Sequence, residues 1–167
     1  MRCPICKNEL DWKKGIHHYK ECGLDNIFLD GVEICTCSCG EKIVNIPAMP
    51  SLHNVIGLDI IKKKALLNGK EIRFLRKNMG MAAKKLAEII GVDNATISRW
   101  ESDGQDISRS NDRFIRLVYS EIKELPTEEI KHLMGDFGKI ENKKVETPNY
   151  KIPLELWSDE TVLCSTA

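Results

Sequence analysis

Hydrophobic positions in the middle of the chain recur with the spacing of short helices. Leu86, Ile89 and Ile90 lie at i, i+3 and i+4, which places them on one face of a helix. Gly91 follows at once, and glycine adopts the left-handed conformation that ends a helix without a steric cost. Asp93 is then suited to the N-cap of a second helix. The pattern predicts two short helices joined by a tight turn.

In the second predicted helix, Ile97 and Trp100 point inward and the other side chains face outward. This outer face is small to polar and ends in arginine, which suits a helix lying in the major groove of DNA. Arginine can bind guanine and asparagine can bind adenine through paired hydrogen bonds, and lysines of the first helix would reach phosphates. The predicted DNA-binding residues are Lys84, Lys85, Asn94, Ala95, Thr96, Ser98 and Arg99.

The distribution of charge supports a nucleic-acid partner over a plain helical hairpin. The 167 residues carry no formal net charge, but ten basic and only three acidic residues lie between Lys62 and Arg99. Residues 1–61 carry six basic and eight acidic residues, and residues 101–167 carry nine and fourteen. A basic segment inside a neutral chain indicates a surface that faces phosphates.

The segment LAEIIGVDNATISRWE, residues 86–101, resembles the Xre/Cro-type helix-turn-helix with its L-A-x-x-x-G-V-x-x-x-x-I-S-x-W-E core. The preceding segment EIRFLR, residues 71–76, resembles the first helix of that family. Ala82 and Ala83 stand where many members carry a glutamine that contacts a phosphate. The resemblance implies an all-α, lambda-repressor-like domain. We expect a homodimer that reads two halves of a palindromic operator in double-stranded DNA, about 34 Å apart.

Six of the seven cysteines lie within the first 39 residues. The pair at 3 and 6 has the C-x-x-C spacing of a metal knuckle, and the pair at 37 and 39 precedes a glycine that can turn the chain. Four thiolates would form a closed, tetrahedral site for one structural Zn²⁺ per chain. Cys35 alternates with the second pair and remains a substitute for Cys37. The expected ligands are Cys3, Cys6, Cys37 and Cys39.

Other uses of these thiols are less well supported. A thioredoxin-like redox pair needs a βαβ context that the sequence does not offer. A disulfide framework conflicts with a start that lacks a secretory signal, and the spacing does not favour an iron–sulfur cluster.

We expect a cytoplasmic protein with no membrane partner, since no apolar run approaches about 20 residues. Cys22 is expected to be buried, and His17 and His18 to lie on the surface.

Short alternating segments around the cysteines predict a small β-rich unit. Its apolar residues are few, so the metal is expected to supply much of its stability. Turns are predicted at Cys22-Gly23 and Asp30-Gly31. The predicted strands are Gly15–Tyr19, Ile27–Leu29, Val32–Ile34 and Lys42–Ile46.

This N-terminal segment also resembles a family. Its Cys3-Pro-x-Cys6, Cys39-Gly40-Glu41, Ile46-Pro47 and Leu52-His53 are similar to the YgiT-type zinc finger that precedes a helix-turn-helix in MqsA-family antitoxins. The family more often has C-x-x-C where this chain has C-x-C at 37–39. The resemblance implies that the zinc domain holds a toxin protein while the helical domain represses their shared operon.

Helical patterns account for most of the remaining chain. A stripe of apolar residues predicts a linking helix over 51–67, and serine caps at 108 or 110 and a threonine cap at 127 predict two later helices. Beyond Lys139 we expect a tail that is extended or disordered until it meets a partner, with Trp157 able to dock on the body. The predicted domains are 1–50, zinc-binding; 51–67, linking helix; 68–123, helix-turn-helix; and 124–167, C-terminal helix and tail.

The sequence therefore predicts an α+β protein, with a zinc-stabilised β-rich domain followed by an all-α DNA-binding domain. It contains no phosphate loop, nucleophile elbow or paired-histidine motif, so we expect a regulator that is not an enzyme. The first hypothesis is a sequence-specific DNA-binding regulator that works as a dimer, and the resemblance to MqsA-family proteins extends it to the antitoxin and autorepressor of a toxin–antitoxin pair. The alternatives are a zinc- or thiol-sensing regulator without a toxin partner, and a purely structural interaction module.

Overall fold

A computed structural model describes residues 2, 3, 5–141 and 148–158. Clustering of close residues divides the chain into two compact units. The thiol unit comprises residues 1–52 and 148–167, and the helical unit comprises residues 53–147. The mixture of a β-rich cysteine-bearing region and a helical region confirms the α+β prediction. The strands are β1 (Trp12–His18), β2 (Ile27–Thr36), β3 (Lys42–Asn45) and β4 (Tyr150–Pro153).

Six α-helices complete the described elements, together with 3₁₀ turns at Phe137–Lys139 and Leu154–Leu156. All six helices lie between the third and the fourth strand in the sequence. The helical region therefore separates the last strand from the other three along the chain. The helices are α1 (Met49–Lys62), α2 (Gly69–Asn78), α3 (Ala83–Ile90), α4 (Asn94–Glu101), α5 (Arg109–Ile122) and α6 (Thr127–Asp136).

The long strand β2 organises the sheet of the thiol unit. The strand β1 pairs with it in antiparallel fashion along one edge. The other edge is shared, because β3 pairs antiparallel with residues 33–36 and β4 pairs parallel with residues 27–30. Every other described strand therefore depends on β2 for its backbone hydrogen bonds.

The predicted turn at Asp30-Gly31 is wrong, because β2 continues through it. Gly15 pairs with Val32 but Ile16 pairs with Asp30, so Gly31 is an extra residue on one strand. Its φ of +82° is the left-handed conformation that a glycine adopts in a β-bulge. The glycine therefore marks a bend within one strand instead of a break between two.

The expectation of a disordered tail is wrong for residues 148–158, which include the extended strand β4, and residues 142–147 and 159–167 of the same expected tail lie outside the described residues. The backbone N–H of Tyr150 donates to the carbonyl of Asn26 at 2.8 Å, and the Asn26 amide donates to the carbonyl of Pro148 at 2.9 Å. Ile152 and Trp157 are both almost completely buried, so the expected docking of Trp157 is confirmed. The tail is held because it completes the open edge of β2, a pairing across about 120 residues that no local pattern reveals.

In the helical unit, α1 ends at Lys62, five residues before the predicted end at Leu67. The reason is a buried ion pair between Arg116 and Asp112 of α5, whose side chains are 1% and 0% exposed. The Arg116 guanidinium donates to the carbonyls of residues 61, 63 and 65, and a carboxylate oxygen of Asp112 accepts from the N–H of Leu67 at 2.8 Å. These side chains take the backbone groups that a longer helix would have used.

The starts of α2 and α5 follow from their capping residues. Asn68 accepts from the N–H of Glu71, and the Glu71 carboxylate accepts in return from the N–H of Asn68 at 2.8 Å. This reciprocal pair of hydrogen bonds is a capping box. Ser108 accepts from the N–H of Asn111, so Ser108, and not Ser110, caps α5.

Candidate nucleic-acid interface and metal centre

The tight turn between α3 and α4 has the geometry that the sequence predicts. Gly91 ends α3 with a φ of +78°, and its N–H donates to the carbonyl of Ala87 at 2.9 Å. Asp93 occupies the N-cap of α4, but its side chain accepts no capping hydrogen bond from the helix. The first hydrogen bond of α4 is instead made by the Asp93 carbonyl, which accepts from the N–H of Thr96 at 2.9 Å.

Burial separates the two faces of α4 as predicted. Ile97 is fully buried and Trp100 nearly so, and Leu86 of α3 is also fully buried in the same core. Thr96 is half-buried. The other six predicted DNA-binding side chains are exposed: Lys84, Lys85, Asn94, Ala95, Ser98 and Arg99. The structure therefore presents these residues together on the surface of the two short helices.

The C-terminal end of α4 is fixed by an ion pair that sequence reasoning missed. The Arg76 guanidinium of α2 binds both carboxylate oxygens of Glu101, with an Nη2–Oε2 distance of 2.9 Å, and donates to the carbonyl of Met81 at 2.8 Å. The hydrogen bonds with Glu101 raise the pKa of Arg76. Bidentate pairs of this kind fix geometry as well as adding stability.

Two of the ten basic residues of the central segment do not belong to an exposed basic surface. Arg76 is paired with Glu101, and Lys63 is paired with the buried Glu71 at 2.6 Å. The remaining eight basic side chains of the central segment are all exposed. They are Lys62, Lys64, Lys70, Arg73, Lys77, Lys84, Lys85 and Arg99.

A glycine allows α2 to approach α4 closely. A Cβ atom built on Gly69 would lie 2.4 Å from the carbonyl oxygen of Trp100 and 2.7 Å from that of Glu101. The N–H of Gly69 donates to a carboxylate oxygen of Asp103 at 3.0 Å. Any side chain at position 69 would push the two helices apart, so this contact fixes the end of the outward-facing helix.

The structure brings together the four thiols predicted as metal ligands. The sulfur atoms of Cys3, Cys6, Cys37 and Cys39 all lie within 4.8 Å of one another, with Cys3–Cys39 at 3.7 Å and Cys6–Cys37 at 3.3 Å. A tetrahedron with metal–sulfur bonds of about 2.3 Å has edges of about 3.8 Å. The four sulfurs therefore match the size of a tetrahedral thiolate site and can hold a metal ion.

Backbone turns aim these sulfurs at one point. In the first knuckle the N–H of Lys7 donates to the carbonyl of Cys3 at 3.0 Å, and in the second the N–H of Gly40 donates to that of Cys37 at 2.9 Å. Lys7 and Gly40 both have positive φ values, of 62° and 89°. The side-chain amide of Asn8 donates to the Ser38 hydroxyl at 3.0 Å and so joins the two knuckles.

Backbone hydrogen bonds favour a thiolate at one position of this cluster even without a bound metal. Hydrogen bonds from the N–H of Cys39 and from the Cys6 thiol together lower the pKa of Cys37 to about 6. Although the N–H of Asn8 lowers the pKa of Cys6, its interaction with Cys37 and partial burial raise it to about 12. The Cys37 thiol therefore loses its proton more readily than the Cys6 thiol, and a bound cation would favour the thiolate form of each ligand.

The other cysteines of the N-terminal segment stand apart from this cluster. Cys35 is buried within β2, between its partners Trp12 and Ile43, so Cys37 and not Cys35 joins the four-sulfur group. Cys22 is half-buried and its thiol contacts the carbonyl of Tyr19 at 3.2 Å. The position of Cys35 in β2 keeps it out of the four-thiol cluster, although the alternation of Cys35 and Cys37 in the sequence allowed either residue to be a ligand.

Comparison with protein families matches residues 72–111 to the helix-turn-helix family. The matched segment covers most of α2, all of α3 and α4, and the start of α5. Neither the comparison with curated proteins nor that with solved structures finds a match. Within the described residues, every helix is too short or too polar to cross a bilayer. The chain thus carries an Xre/Cro-type helix-turn-helix domain, a DNA-binding domain of transcriptional regulators.

Proposed function

We propose that the protein is a sequence-specific transcriptional regulator that binds its operator as a homodimer. The observation that carries this proposal is the outer face of α4, where Asn94, Ala95, Ser98 and Arg99 are exposed above the buried Ile97 and Trp100. A helix with this division of faces can enter the major groove while its buried side stays packed on the domain.

Each exposed side chain has a role that its chemistry supports. Arg99 donates to O6 and N7 of a guanine, and Asn94 pairs with the N6 and N7 atoms of an adenine. Lys84 and Lys85 lie at the start of α3, where they contact phosphates and set the position of the domain on the duplex. Two copies then read half-sites separated by about one helical turn, roughly 34 Å.

The test separates base reading from phosphate binding. Duplexes selected from a randomised library by the full-length protein provide the specific probe, and unselected duplexes provide the non-specific one. Arg99→Ala is expected to cost about 1–3 kcal/mol on the selected duplex and to relax the preference at one base pair. Lys84→Ala is expected to weaken both probes alike and to reduce the salt dependence of binding.

Lys131→Ala, an exposed lysine on α6, is the control and should change neither measurement. Equal losses on selected and unselected duplexes for Arg99→Ala would contradict the assigned role of Arg99. Failure of the protein to enrich any sequence would contradict the proposed function itself.

The four-thiol cluster is proposed to hold one structural Zn²⁺ per chain. Cys3, Cys6, Cys37 and Cys39 would each supply a thiolate, which leaves no coordination position open for a substrate. Zinc would thereby hold the two knuckles together without taking part in catalysis. This is in keeping with a regulator that is not an enzyme.

The finer proposal is that the regulator is an antitoxin of the MqsA type, and it rests on the resemblance of its cysteine and proline positions to YgiT-type zinc fingers. The thiol unit would bind the toxin, and the helix-turn-helix would repress the operon that encodes both proteins. Co-expression with the product of the neighbouring reading frame tests it. Relief of growth arrest by the full-length chain would support the antitoxin role, and a neighbour without toxicity would leave a regulator alone.

A further inference from the structure

Arg99, the side chain proposed to read guanine, has a hydrogen-bond partner within its own domain. Its Nη1 atom donates to the Oε1 atom of Gln105 at 3.4 Å. Both side chains are exposed, so this contact lies on the solvent-exposed surface and not in the core. Guanidinium carries five N–H groups, and this hydrogen bond uses one of them.

The chain reverses direction directly after α4, and this reversal brings Gln105 back to Arg99. The N–H of Gly104 donates to the carbonyl of Arg99 at 2.9 Å, and the Ser102 hydroxyl donates to the same carbonyl at 3.2 Å. Asp103 lies between them with a φ of +56°. The backbone of the loop is therefore folded over the last turn of the helix that carries Arg99.

The loop is also anchored at a second point. The carboxylate of Asp103 accepts from the N–H of Gly69 at 3.0 Å, and Gly69 is buried where α2 meets the end of α4. Because the loop is tied both to α4 and to α2, the position of Gln105 relative to Arg99 is set by the fold of the domain. A side chain on such a loop can restrict its neighbour at a small entropic cost.

We infer that Gln105 is a positioning residue that orients Arg99 for the guanine. This inference rests on the proposed function, since it requires that Arg99 contacts a base. An unrestrained arginine loses side-chain entropy when DNA immobilises it, and a prior hydrogen bond removes part of that loss. With Oε1 of Gln105 holding one Nη1 hydrogen, the other N–H groups of Arg99 remain to pair with O6 and N7.

A double-mutant cycle on selected duplexes tests the inference. Gln105→Met keeps the length of the side chain and removes the acceptor. In the otherwise unaltered protein it is expected to reduce affinity for the selected duplex by about 3- to 10-fold and to reduce discrimination at the base pair that Arg99 reads. In the Arg99→Ala background the same change is expected to reduce affinity by less than about 2-fold, because its effect passes through Arg99.

The outcomes separate the inference from the function on which it rests. Equal losses in the two backgrounds would show an independent contact between Gln105 and DNA and would overturn the inference. Unchanged affinity and discrimination in Gln105→Met would also overturn it, while the selected duplex would still support the proposed function. A library that yields no enriched sequence would overturn both. Unfolding followed by circular dichroism confirms that each variant retains the fold.

Discussion

The thiol unit and the helical unit hold their chains together by different means. In the thiol unit, four sulfurs from two knuckles converge within 4.8 Å and a small sheet is built around one long strand. In the helical unit, apolar side chains fill the space between helices, and a buried arginine–aspartate pair organises the connection between α1 and α2. On the proposal that the four thiols bind Zn²⁺, the thiol unit depends on an ion that the chain must acquire, and the helical unit depends on groups that the chain already carries.

This difference explains why the two units need different amounts of buried apolar surface. A small β-rich unit buries too little apolar surface to fold without an additional source of stability, and a metal bound by four thiolates can supply it. The helical unit contains enough buried aliphatic and aromatic residues to leave the outer face of α4 polar. The outer face of α4, which we propose contacts DNA, is therefore exposed by packing within the helical unit and does not need the metal proposed for the thiol unit.

The largest effect is expected on removal of the metal. Structural zinc contributes on the order of 10–16 kcal/mol in small finger peptides, so chelation should unfold the thiol unit and leave the helical unit folded. Amide hydrogen exchange measures both, with protection lost in β1–β4 and retained in α2–α5. Cys37→Ser should abolish stoichiometric zinc binding. Cys22→Ser is the matched control and should bind one zinc, and protection that survives chelation throughout the sheet would refute the assignment.

Breaking the buried ion pair of the helical unit is expected to destabilise the helical unit and to leave the thiol unit folded. Arg116→Met removes the donor to three carbonyls and leaves the Asp112 carboxylate buried without its counter-charge, which costs about 3–5 kcal/mol. Denaturant unfolding followed by circular dichroism at the helical band measures the loss, and zinc content should stay at one per chain. Arg109→Lys, an exposed arginine on the same helix, should change stability little. A loss below about 1 kcal/mol for Arg116→Met would contradict the role of the pair.

A smaller effect is expected for the tail strand. Trp157 is 1% exposed, and its indole Nε1 has no hydrogen-bond partner in the described part of the chain. Trp157→Phe should therefore cost only the lost ring volume, about 1–2 kcal/mol, with the loss confined to the thiol unit. Hydrogen exchange in β2 and β4 measures it. The neighbouring Leu156 is 56% exposed, and Leu156→Ala should have almost no effect; similar losses for both variants would show that Trp157 does not anchor the tail.

Local patterns in the sequence identified the parts of the molecule whose geometry is set within a few residues. The C-x-x-C spacing and the glycine at 40 predicted both knuckles, and Gly91 predicted the end of α3. The apolar spacing of Ile97 and Trp100 predicted which face of α4 is buried. In each case the signal and the structure lie on the same turn or helix.

Contacts between distant residues were missed because their signal is ambiguous in sequence. Arg76 and Arg116 look like surface cations, and nothing near them in the chain shows that Glu101 or the carbonyls at the end of α1 will bind them. Gly31 carries the same local signal for a turn and for a bulge. The strand β4 is only four residues long, and its partner lies more than one hundred residues earlier. Burial and pairing decide these cases, and both require the tertiary fold.

The return of β4 to β2 has a consequence for the order of events at the ribosome. The helical unit is one continuous segment and can fold as soon as it emerges, whereas the sheet of the thiol unit waits for residues 150–157. At about 5–20 residues per second, the interval between the end of β2 and the start of β4 is about 6 to 23 seconds. During that time the knuckles can already capture a metal ion. On the proposal that the cluster binds Zn²⁺, the metal can thus bind before the sheet is closed.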